Sequence, residues 1–160
     1  MSKKIFVDIT MLEEEVAKHR LEGSKLVFTN GCFDILHVGH TKYLAEAKNQ
    51  GDYLIVAINT DSSVKSLKGD SRPINSLRER MDVLSALQAV DYVCSFNEET
   101  PLNIIKKLRP HILVKGSDYK IDDVVGKQFI ESYGGTVELI PFIEGFSSTD
   151  LINRIKSLWK

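Results

Sequence analysis

The sequence predicts an α/β fold, a doubly wound (Rossmann-like) five-stranded parallel sheet sandwiched by helices. Short apolar runs alternate with amphipathic segments along the chain, which is the pattern of repeated strand–helix units. Two of these runs, 53–58 and 112–114, are apolar at consecutive positions, so both faces of each strand are expected to be buried, as in a parallel sheet covered by helices. With 160 residues and no linker or internal repeat, residues 1–160 are expected to form a single domain.

The elements follow one another in regular alternation. An N-terminal helix at 10–22 is appended before the first strand, and that strand is an apolar run behind Gly23. The next helix repeats apolar residues at helical spacing until Gly51 ends it. The predicted strands are 25–30, 53–58, 91–95, 111–115 and 135–140, and the predicted helices that follow them are 41–50, 76–89, 101–108, 122–133 and 148–158.

The charge balance excludes some classes of partner. Lysine and arginine (21) nearly equal aspartate and glutamate (22), which gives a net charge of −1. A protein that finds nucleic acid or a membrane surface through bulk charge has an excess of positive charge, so neither partner is expected. No apolar run has the length of a membrane span or a signal-peptide core, and the two cysteines lie far apart. We therefore predict a cytoplasmic protein with free thiols, in which any anion site is built locally.

The most informative segment is Asn30-Gly-Cys-Phe-Asp-Ile-Leu-His-Val-Gly-His40, between the first strand and the following helix. His37 and His40 are three residues apart, a spacing that puts two side chains on one side of a turn. Gly39 between them has no Cβ to hold an anionic ligand away from the backbone. The start of a helix offers free N–H groups and the positive end of its dipole to phosphate, and two imidazoles add donors. The segment therefore indicates a nucleotide phosphate site.

Two other interpretations of the histidine pair must be weighed. An isolated His-x-x-His is usually incidental, but this pair follows a strand, opens a helix and encloses a glycine. The pair could also bind zinc, which requires further ligands. Neither Cys32 nor Cys94 belongs to a Cys-x-x-Cys motif or has a His-rich segment beside it. The context therefore favours phosphate over chance and over zinc.

Polar or glycine-rich clusters follow other predicted strands as well, at 59–61, 115–118 and 144–149. Each alone is compatible with a helix cap, because Ser, Thr, Asn and Asp are the preferred capping residues. In a doubly wound sheet, however, the carboxyl ends of the strands share one edge, and ligands bind there. Together, the clusters therefore favour a site at that edge.

A basic segment at 64–73 contains Lys65, Lys68 and Arg72. A run of charges is usually a solvated loop, but a flexible basic loop beside a phosphate site would close on a triphosphate and neutralise it. On the following helix, Arg80 lies nearer to the apolar positions than Arg78 does. We therefore favour Arg80 as a site residue.

These segments resemble the cytidylyltransferase-like nucleotidyltransferases, whose hallmark Gly-x-Phe-Asp-x-x-His-x-Gly-His stands here at 31–40. The resemblance covers nearly the whole chain from Lys25. Within the family, Lys115-Gly-Ser-Asp-Tyr119, Tyr133-Gly-Gly135 and Ser147-Ser-Thr149 are most similar to the stand-alone adenylyltransferases that make ADP-heptose from D-glycero-D-manno-heptose 1-phosphate. In that family the domain often occurs fused to a sugar kinase. The resemblance here is to the stand-alone form, so it implies a separate kinase, and it also implies a homodimer.

The resemblance implies ATP and a sugar 1-phosphate as substrates, with Mg²⁺ as cofactor. A phosphate oxygen of the sugar phosphate attacks the α-phosphorus of ATP, and pyrophosphate leaves. Because the attacking phosphate is already an anion, no general base is required. Catalysis then depends on positioning and on donors that stabilise the charge on the phosphorus oxygens.

The resemblance also implies roles for individual residues. The catalytic residues, which act on the phosphates, are His37, His40, Lys42 and Lys68. The nucleotide-binding residues are Asn30, Gly31, Cys32, Phe33, Asp34, Gly39, Arg80, Lys115, Gly116, Ser117, Asp118, Ser147, Ser148 and Thr149. The sugar-phosphate residues are Asn59, Asp61 and Arg72. Asp34 is further expected to orient Mg²⁺ through the phosphates, and Arg80 to hold the departing pyrophosphate.

Three alternative functions are open. Glycerol-3-phosphate cytidylyltransferases carry Arg-Thr-Glu-Gly-Ile-Ser-Thr-Thr near their end, and Phe142 stands here in place of that arginine, which weakens the case for CTP. A nucleotide-binding module without chemistry would have no need for transition-state donors. A fragment of a class I aminoacyl-tRNA synthetase shares the histidine signature, but this chain lacks a Lys-Met-Ser-Lys-Ser-like loop and a basic RNA-binding surface.

Overall fold

The computed structural model describes residues 4–141 and 145–159, which form a parallel sheet of six strands with helices on both faces. The strands are β1 (Ile5–Phe6), β2 (Leu26–Gly31), β3 (Tyr53–Asn59), β4 (Tyr92–Phe96), β5 (Ile112–Gly116) and β6 (Thr136–Ile140). The helices are α1 (Ile9–Leu21), α2 (Val38–Lys48), α3 (Asp61–Lys68), α4 (Leu77–Ser85), α5 (Leu102–Leu108), α6 (Lys127–Glu131) and α7 (Ser148–Leu158), with a short 3₁₀ turn at Ile121–Asp123.

The predicted α/β class is confirmed, and the sheet has one more strand than the five predicted. All five predicted strands are present within a residue or two of their expected bounds. The additional strand, β1, pairs in parallel with β4 at the edge of the sheet, with Ile5 opposite Val93. Two residues are too few to show any periodicity, so the sequence pattern could not reveal it.

The two faces of the sheet carry separate apolar cores. Along β3, Ile55 and Ala57 belong to one core, and Leu54, Val56 and Ile58 belong to the other. This alternation follows from the two-residue period of a strand. Residues of α1, α5 and α6 cover the first face, and residues of α2 and α4 cover the second. No helix of the described residues has the length and apolar character needed to cross a membrane.

The segment 64–73 was expected to be a loop, but its first residues, 64–68, belong to the helix α3. Thr60 caps α3 by accepting a hydrogen bond from the backbone N–H of Ser63, and the helix runs to Lys68. Gly69, with a φ of 91°, ends it, because left-handed backbone is readily adopted by glycine. Lys65 and Lys68 are therefore helical, and only the residues from Gly69 onward connect to the next element.

Two other helices are shorter than predicted. The helix expected at 76–89 starts with a capping box of Ser76 and Glu79 but ends at Ser85, after which tight turns lead into β4. The helix expected at 122–133 is divided by Gly126, whose φ is 96°. A Cβ at Gly126 would lie 2.8 Å from the Cδ1 of Ile105, so the close approach of α5 requires glycine at this break.

The strand order β1-β4-β3-β2-β5-β6 places a topological switch point between β2 and β5. From β2 the chain moves through β3 to β4 on one side, and it then crosses back to β5 and β6 on the other. Loops leave the carboxyl ends of β2 and β5 in opposite directions, so a crevice opens between them. The histidine segment follows β2 and therefore borders this crevice.

Candidate active site

A cavity of about 490 Å³ lies at the carboxyl ends of β2, β3, β4 and β5. Predicted site residues that line it are Asn30, Gly31, Cys32, Phe33, Asp34, His40, Asn59, Lys68, Lys115, Gly116, Asp118 and Ser148. Residues predicted for the site that do not line it are His37, Gly39, Lys42, Asp61, Arg72, Arg80, Ser117, Ser147 and Thr149. The clusters at the strand ends thus converge on one cavity, as the switch-point rule requires.

The two histidines form a stacked pair at the start of α2. Their ring centroids are 3.8 Å apart, and the planes are inclined by 26°. His37 occupies the N-cap position and His40 lies in the first turn. A Cβ at Gly39 would lie only 2.9 Å from Nδ1 of His37, so the close approach of this ring requires the glycine. The helix N-terminus therefore presents two imidazoles together with its free N–H groups.

Burial keeps both histidines uncharged. It lowers the pKa of His37, and burial together with the nearby His37 and Lys68 lowers the pKa of His40 to about 4. Near pH 7 each ring is therefore neutral and carries one N–H donor. The Nδ1 atoms of both rings are buried without a hydrogen-bond partner in the part of the chain that the structure describes. A neutral ring can offer its one N–H to a phosphate oxygen without carrying a positive charge.

The backbone beside the histidines is strained at Phe33, whose φ is 46°. Positive φ costs a non-glycine residue on the order of 1–3 kcal/mol, and such residues cluster at functional sites. The ring of Phe33 packs against His40, with centroids 5.2 Å apart, and approaches Gly31 so closely that a Cβ there would lie 3.1 Å from it. The turn after β2 is therefore held in one shape by contacts among its own residues.

Asp34 is buried and saturated with hydrogen bonds. Its carboxylate accepts from Nε of Arg72 at 2.6 Å and from the backbone N–H groups of Ile74 and Asn75 at 2.8–3.0 Å. Burial alone would raise the pKa of Asp34, but these donors outweigh it and lower the pKa. The expected orientation of Mg²⁺ by Asp34 therefore does not fit, because both oxygen atoms are already engaged. Within residues 4–141 and 145–159, no three His, Cys, Asp or Glu side chains are grouped to hold a metal.

Arg80 is buried, as its position on α4 predicts, while Arg78 is exposed. Its guanidinium donates to the carbonyl oxygens of Cys32 and Asn75 and to the carboxylate of Asp61, at 2.7–3.1 Å. The pyrophosphate role expected for Arg80 stays a prediction, and in this structure the side chain is enclosed by these partners and does not line the cavity. Asp61 is likewise engaged with Arg80 at 2.7 Å rather than lining the substrate cavity.

Arg72 differs from Arg80 because one of its guanidinium nitrogens has no hydrogen-bond partner among the described residues. It is 8% exposed and binds Asp34 through Nε, but its Nη2 is buried with no hydrogen-bond partner among the described residues. It does not line the cavity. The structure therefore places Arg72 with the Asp34 network and leaves one of its donors unused.

The lysines occupy different positions. Lys115 is 7% exposed, and its ammonium donates to the side-chain carbonyl of Asn30 across the switch point, from β5 to β2. Burial lowers the pKa of Lys115 to about 8, although the charge of Asp118 opposes the shift. Lys68, at the last position of α3, also lines the cavity. Lys42 is exposed on α2 and does not line it.

The start of α7 closes one side of the cavity. Ser147 is the N-cap, and its hydroxyl accepts from the backbone N–H of Asp150 at 2.9 Å. Ser148 donates to the carbonyl of Ile35 at 3.0 Å, which ties α7 to the turn after β2. Ser117 and Thr149 are exposed and outside the cavity lining. Phe142, on which the argument against CTP depends, lies outside the described residues.

Several cavity residues were not predicted from the sequence. They are Tyr43, Leu67, Phe96, Glu99, Thr100, Pro101, Tyr119 and Val125. The segment 96–101 directly follows β4, so the rule that ligands bind at strand ends already covered it. The segment contains neither a glycine nor a recognisable motif, so no local signal marks its residues. Cys32 lines the cavity as expected, and burial raises the pKa of its thiol, which disfavours a nucleophilic thiolate.

Comparison with known proteins settles the family. The model of the family described as cytidylyltransferase-like matches residues 28–154. The chain belongs to the cytidylyltransferase-like family. The resemblance drawn from the segment at 31–40 is therefore confirmed at the level of the family.

Curated relatives share about half of the aligned residues. The chain is 49% identical over 148 residues to a protein of Geobacter sulfurreducens named bifunctional protein HldE, covering 92% of this chain and 30% of the relative. A protein of the same name from Syntrophotalea carbinolica is 53% identical over 144 residues, covering 90% and 29%. The chain thus spans less than a third of the length of these relatives.

Solved structures give two further likenesses. The lipopolysaccharide core biosynthesis protein of Thermoplasma volcanium is 31% identical with a TM-score of 0.61, and the match covers 76% of this chain and 98% of that one. The pantoate-beta-alanine ligase of Francisella tularensis is 17% identical with a TM-score of 0.64, covering 99% and 80%. The second likeness is one of fold alone.

Proposed function

We propose that the protein transfers AMP from ATP to a sugar 1-phosphate, namely D-glycero-D-manno-heptose 1-phosphate, and releases ADP-heptose and pyrophosphate. The observation that carries this proposal is the stacked, uncharged pair of His37 and His40 at the start of α2, beside a cavity at the switch point. The choice of sugar is supported by the relatives named HldE and by a structural neighbour named for lipopolysaccharide core biosynthesis.

In the proposed reaction, an oxygen of the sugar phosphate forms a bond to the α-phosphorus of ATP. The bond from that phosphorus to the oxygen bridging the α- and β-phosphates breaks, and pyrophosphate carries the electron pair away. No proton transfer is needed, because the attacking oxygen is already anionic. The protein therefore contributes positioning and stabilisation of charge on the phosphorus oxygens.

His37 and His40 supply neutral hydrogen-bond donors to the α- and β-phosphates. A donor fixed in a water-poor site costs no reorganisation as charge develops, and removal of one such donor typically slows a reaction by about 10²–10³-fold. Lys68 and Lys115 supply positive charge from α3 and from β5. Lys42 is exposed on α2, and we assign it a weaker role in attracting the triphosphate.

Asp34, Arg72 and Arg80 act as positioning residues. Asp34 fixes the segment 72–75, and Arg80 joins that segment to the backbone of Cys32 and to α3. Among the described residues, no three His, Cys, Asp or Glu side chains are grouped as metal ligands, and triphosphate oxygens are ligands that Mg²⁺ prefers, so we propose that Mg²⁺ arrives bound to the triphosphate as part of the ATP substrate. We also propose a homodimer, a sugar kinase that supplies the acceptor, and a cytoplasmic location.

The experiment that tests this function measures pyrophosphate release for ATP, CTP, GTP and UTP, each against several sugar 1-phosphates and glycerol 3-phosphate. We expect activity with ATP and D-glycero-D-manno-heptose 1-phosphate. Activity confined to CTP with glycerol 3-phosphate would instead identify a cytidylyltransferase of the alternative kind. Nucleotide binding without release in any combination would identify a binding module and refute the proposal.

A further inference from the structure

The lining of the cavity comes from both sides of β2, because β3 and β4 lie on one side of that strand and β5 lies on the other. The half toward β5 is bordered by Lys115, Gly116 and Asp118, which the sequence already assigned to the nucleotide. The half toward β4 is bordered by the residues that follow that strand, including Glu99 and Thr100, to which no role has been given. With ATP assigned to the half toward β5 under the proposed function, the half toward β4 is left for the acceptor.

The segment after β4 is anchored in a way that leaves two side chains unused. The backbone N–H of Thr60 donates to the carbonyl of Phe96 at 3.0 Å, and the hydroxyl of Ser62 donates to the side-chain oxygen of Asn97 at 2.7 Å. Glu98 accepts from the backbone N–H of Asn97 at 3.1 Å. These bonds fix the segment against the start of α3.

Glu99 and Thr100 contrast with their neighbours. Within the described ranges, neither side chain makes a hydrogen bond or an ion pair, although both line the cavity. The other carboxylates of the lining are differently placed: Asp34 is saturated, and Asp118 lies in the half toward β5. Glu99 is thus the free carboxylate in the half toward β4 among the described residues.

We propose that Glu99 and Thr100 bind the hydroxyl groups of the acceptor sugar and so select a polyhydroxylated sugar phosphate. This inference rests on the proposed function and names the residues that read its acceptor. A carboxylate accepts hydrogen bonds from two neighbouring hydroxyls at once, and these charge-assisted bonds are stronger than neutral ones. The hydroxyl of Thr100 adds one donor and one acceptor, while Phe96 and Pro101 supply apolar surface for the C–H face of a sugar ring.

The placement also suits the charge of the acceptor. A carboxylate repels phosphate, so Glu99 would disfavour phosphate binding beside it and leave that end of the acceptor to Lys68 on a different element. The acceptor would then lie with its phosphate toward Lys68 and His40 and its hydroxyls toward the end of β4. That orientation directs the attacking oxygen to the histidine pair.

The test compares wild type with Glu99→Gln and Thr100→Val in pyrophosphate release with ATP and D-glycero-D-manno-heptose 1-phosphate. Glu98→Gln is the matched control. It removes the same charge from the neighbouring residue, whose carboxylate does not line the cavity. We expect the KM for the sugar phosphate to rise by on the order of 10- to 100-fold in Glu99→Gln, by less in Thr100→Val, and to stay unchanged in Glu98→Gln. The KM for ATP should be unchanged in all three.

A second readout uses acceptors that each lack one hydroxyl. Wild type should discriminate against at least one of these deoxy sugar phosphates, and Glu99→Gln should lose that discrimination. An active wild type with an unchanged acceptor KM in Glu99→Gln would overturn this inference alone. A wild type that releases no pyrophosphate with any sugar phosphate would overturn the proposed function and, with it, this assignment.

Discussion

Two polar networks grow from the same turn after β2, and they differ in whether their hydrogen-bonding groups are occupied. Around Asp34, the carboxylate, the backbone of 72–75 and Arg80 satisfy one another almost completely. Around His37 and His40, the rings stack, but their Nδ1 atoms have no partner in the described parts of the chain. In the Asp34 network only Nη2 of Arg72 lacks a partner, so most of its polar groups stabilise the fold, whereas each ring of the histidine pair keeps hydrogen-bonding capacity unused.

The first prediction concerns the saturated network. Asp34→Ala would leave Arg72 buried without its counter-charge and two backbone N–H groups without an acceptor. We expect the free energy of unfolding to fall by about 3–5 kcal/mol, as for other broken buried ion pairs. Urea denaturation measures this loss. Asp118→Ala is the control, because that carboxylate lines the same cavity outside the Asp34 network, and its loss should cost less than about 1 kcal/mol.

The second prediction separates activity from stability at the histidine pair. In Gly39→Ala, the new Cβ would meet Nδ1 of His37 at 2.9 Å and push the ring out of the stack. We expect kcat to fall by on the order of 10²-fold, as for a misplaced catalytic group. Because alanine favours helix more than glycine does, part of the cost of displacing the ring is offset, and the melting temperature should fall by only a few degrees. A variant with normal kcat would show that the ring position does not matter.

The third prediction uses the ionisation of Lys115. Its pKa of about 8 means that the ammonium is present below pH 8 and is lost as the pH rises above it. The KM for ATP should therefore increase above pH 8, and Lys115→Met should show a KM about 10-fold higher with little of that pH dependence. If the variant kept the wild-type profile, the pH dependence would have another origin.

The fourth prediction is that the protonation of His40 does not change between pH 5 and 8. With a pKa of about 4, His40 in the free protein should not titrate between pH 5 and 8. Its ring chemical shifts, followed by NMR, should stay constant across that range. A midpoint near 6.5 would place a charged imidazolium in the site below that pH and contradict the neutral-donor mechanism.

The two networks also differ in how much of each could be predicted from the sequence. Periodicity predicted the five principal strands, which the structure confirms, because that signal is local. The glycine between His37 and His40 is a local signal as well, and it indicates a phosphate site. The convergence of Asn30 and Lys115 across the switch point followed from the topology of a doubly wound sheet.

The sequence could not predict which polar side chains already have hydrogen-bond or ion-pair partners within the protein. Asp34, Arg72 and Arg80 have the residue types of a phosphate site, and only tertiary contacts show that Asp34 pairs with Arg72 and that Arg80 pairs with Asp61 and the backbone of Cys32. Glu99 could not be predicted because an isolated glutamate belongs to no sequence motif, and only the folded structure places it at the cavity. The extent of α3 was missed because basic residues on a short helix look like a solvated loop.

The most direct test of this account measures kcat and the melting temperature of His40→Ala against wild type, with ATP and D-glycero-D-manno-heptose 1-phosphate as substrates. The account predicts that kcat falls by about 10²–10³-fold, as expected for one lost transition-state donor, while the melting temperature changes little. A variant that unfolds readily but keeps its kcat per folded molecule would contradict it, because His40 would then belong to the network that stabilises the fold.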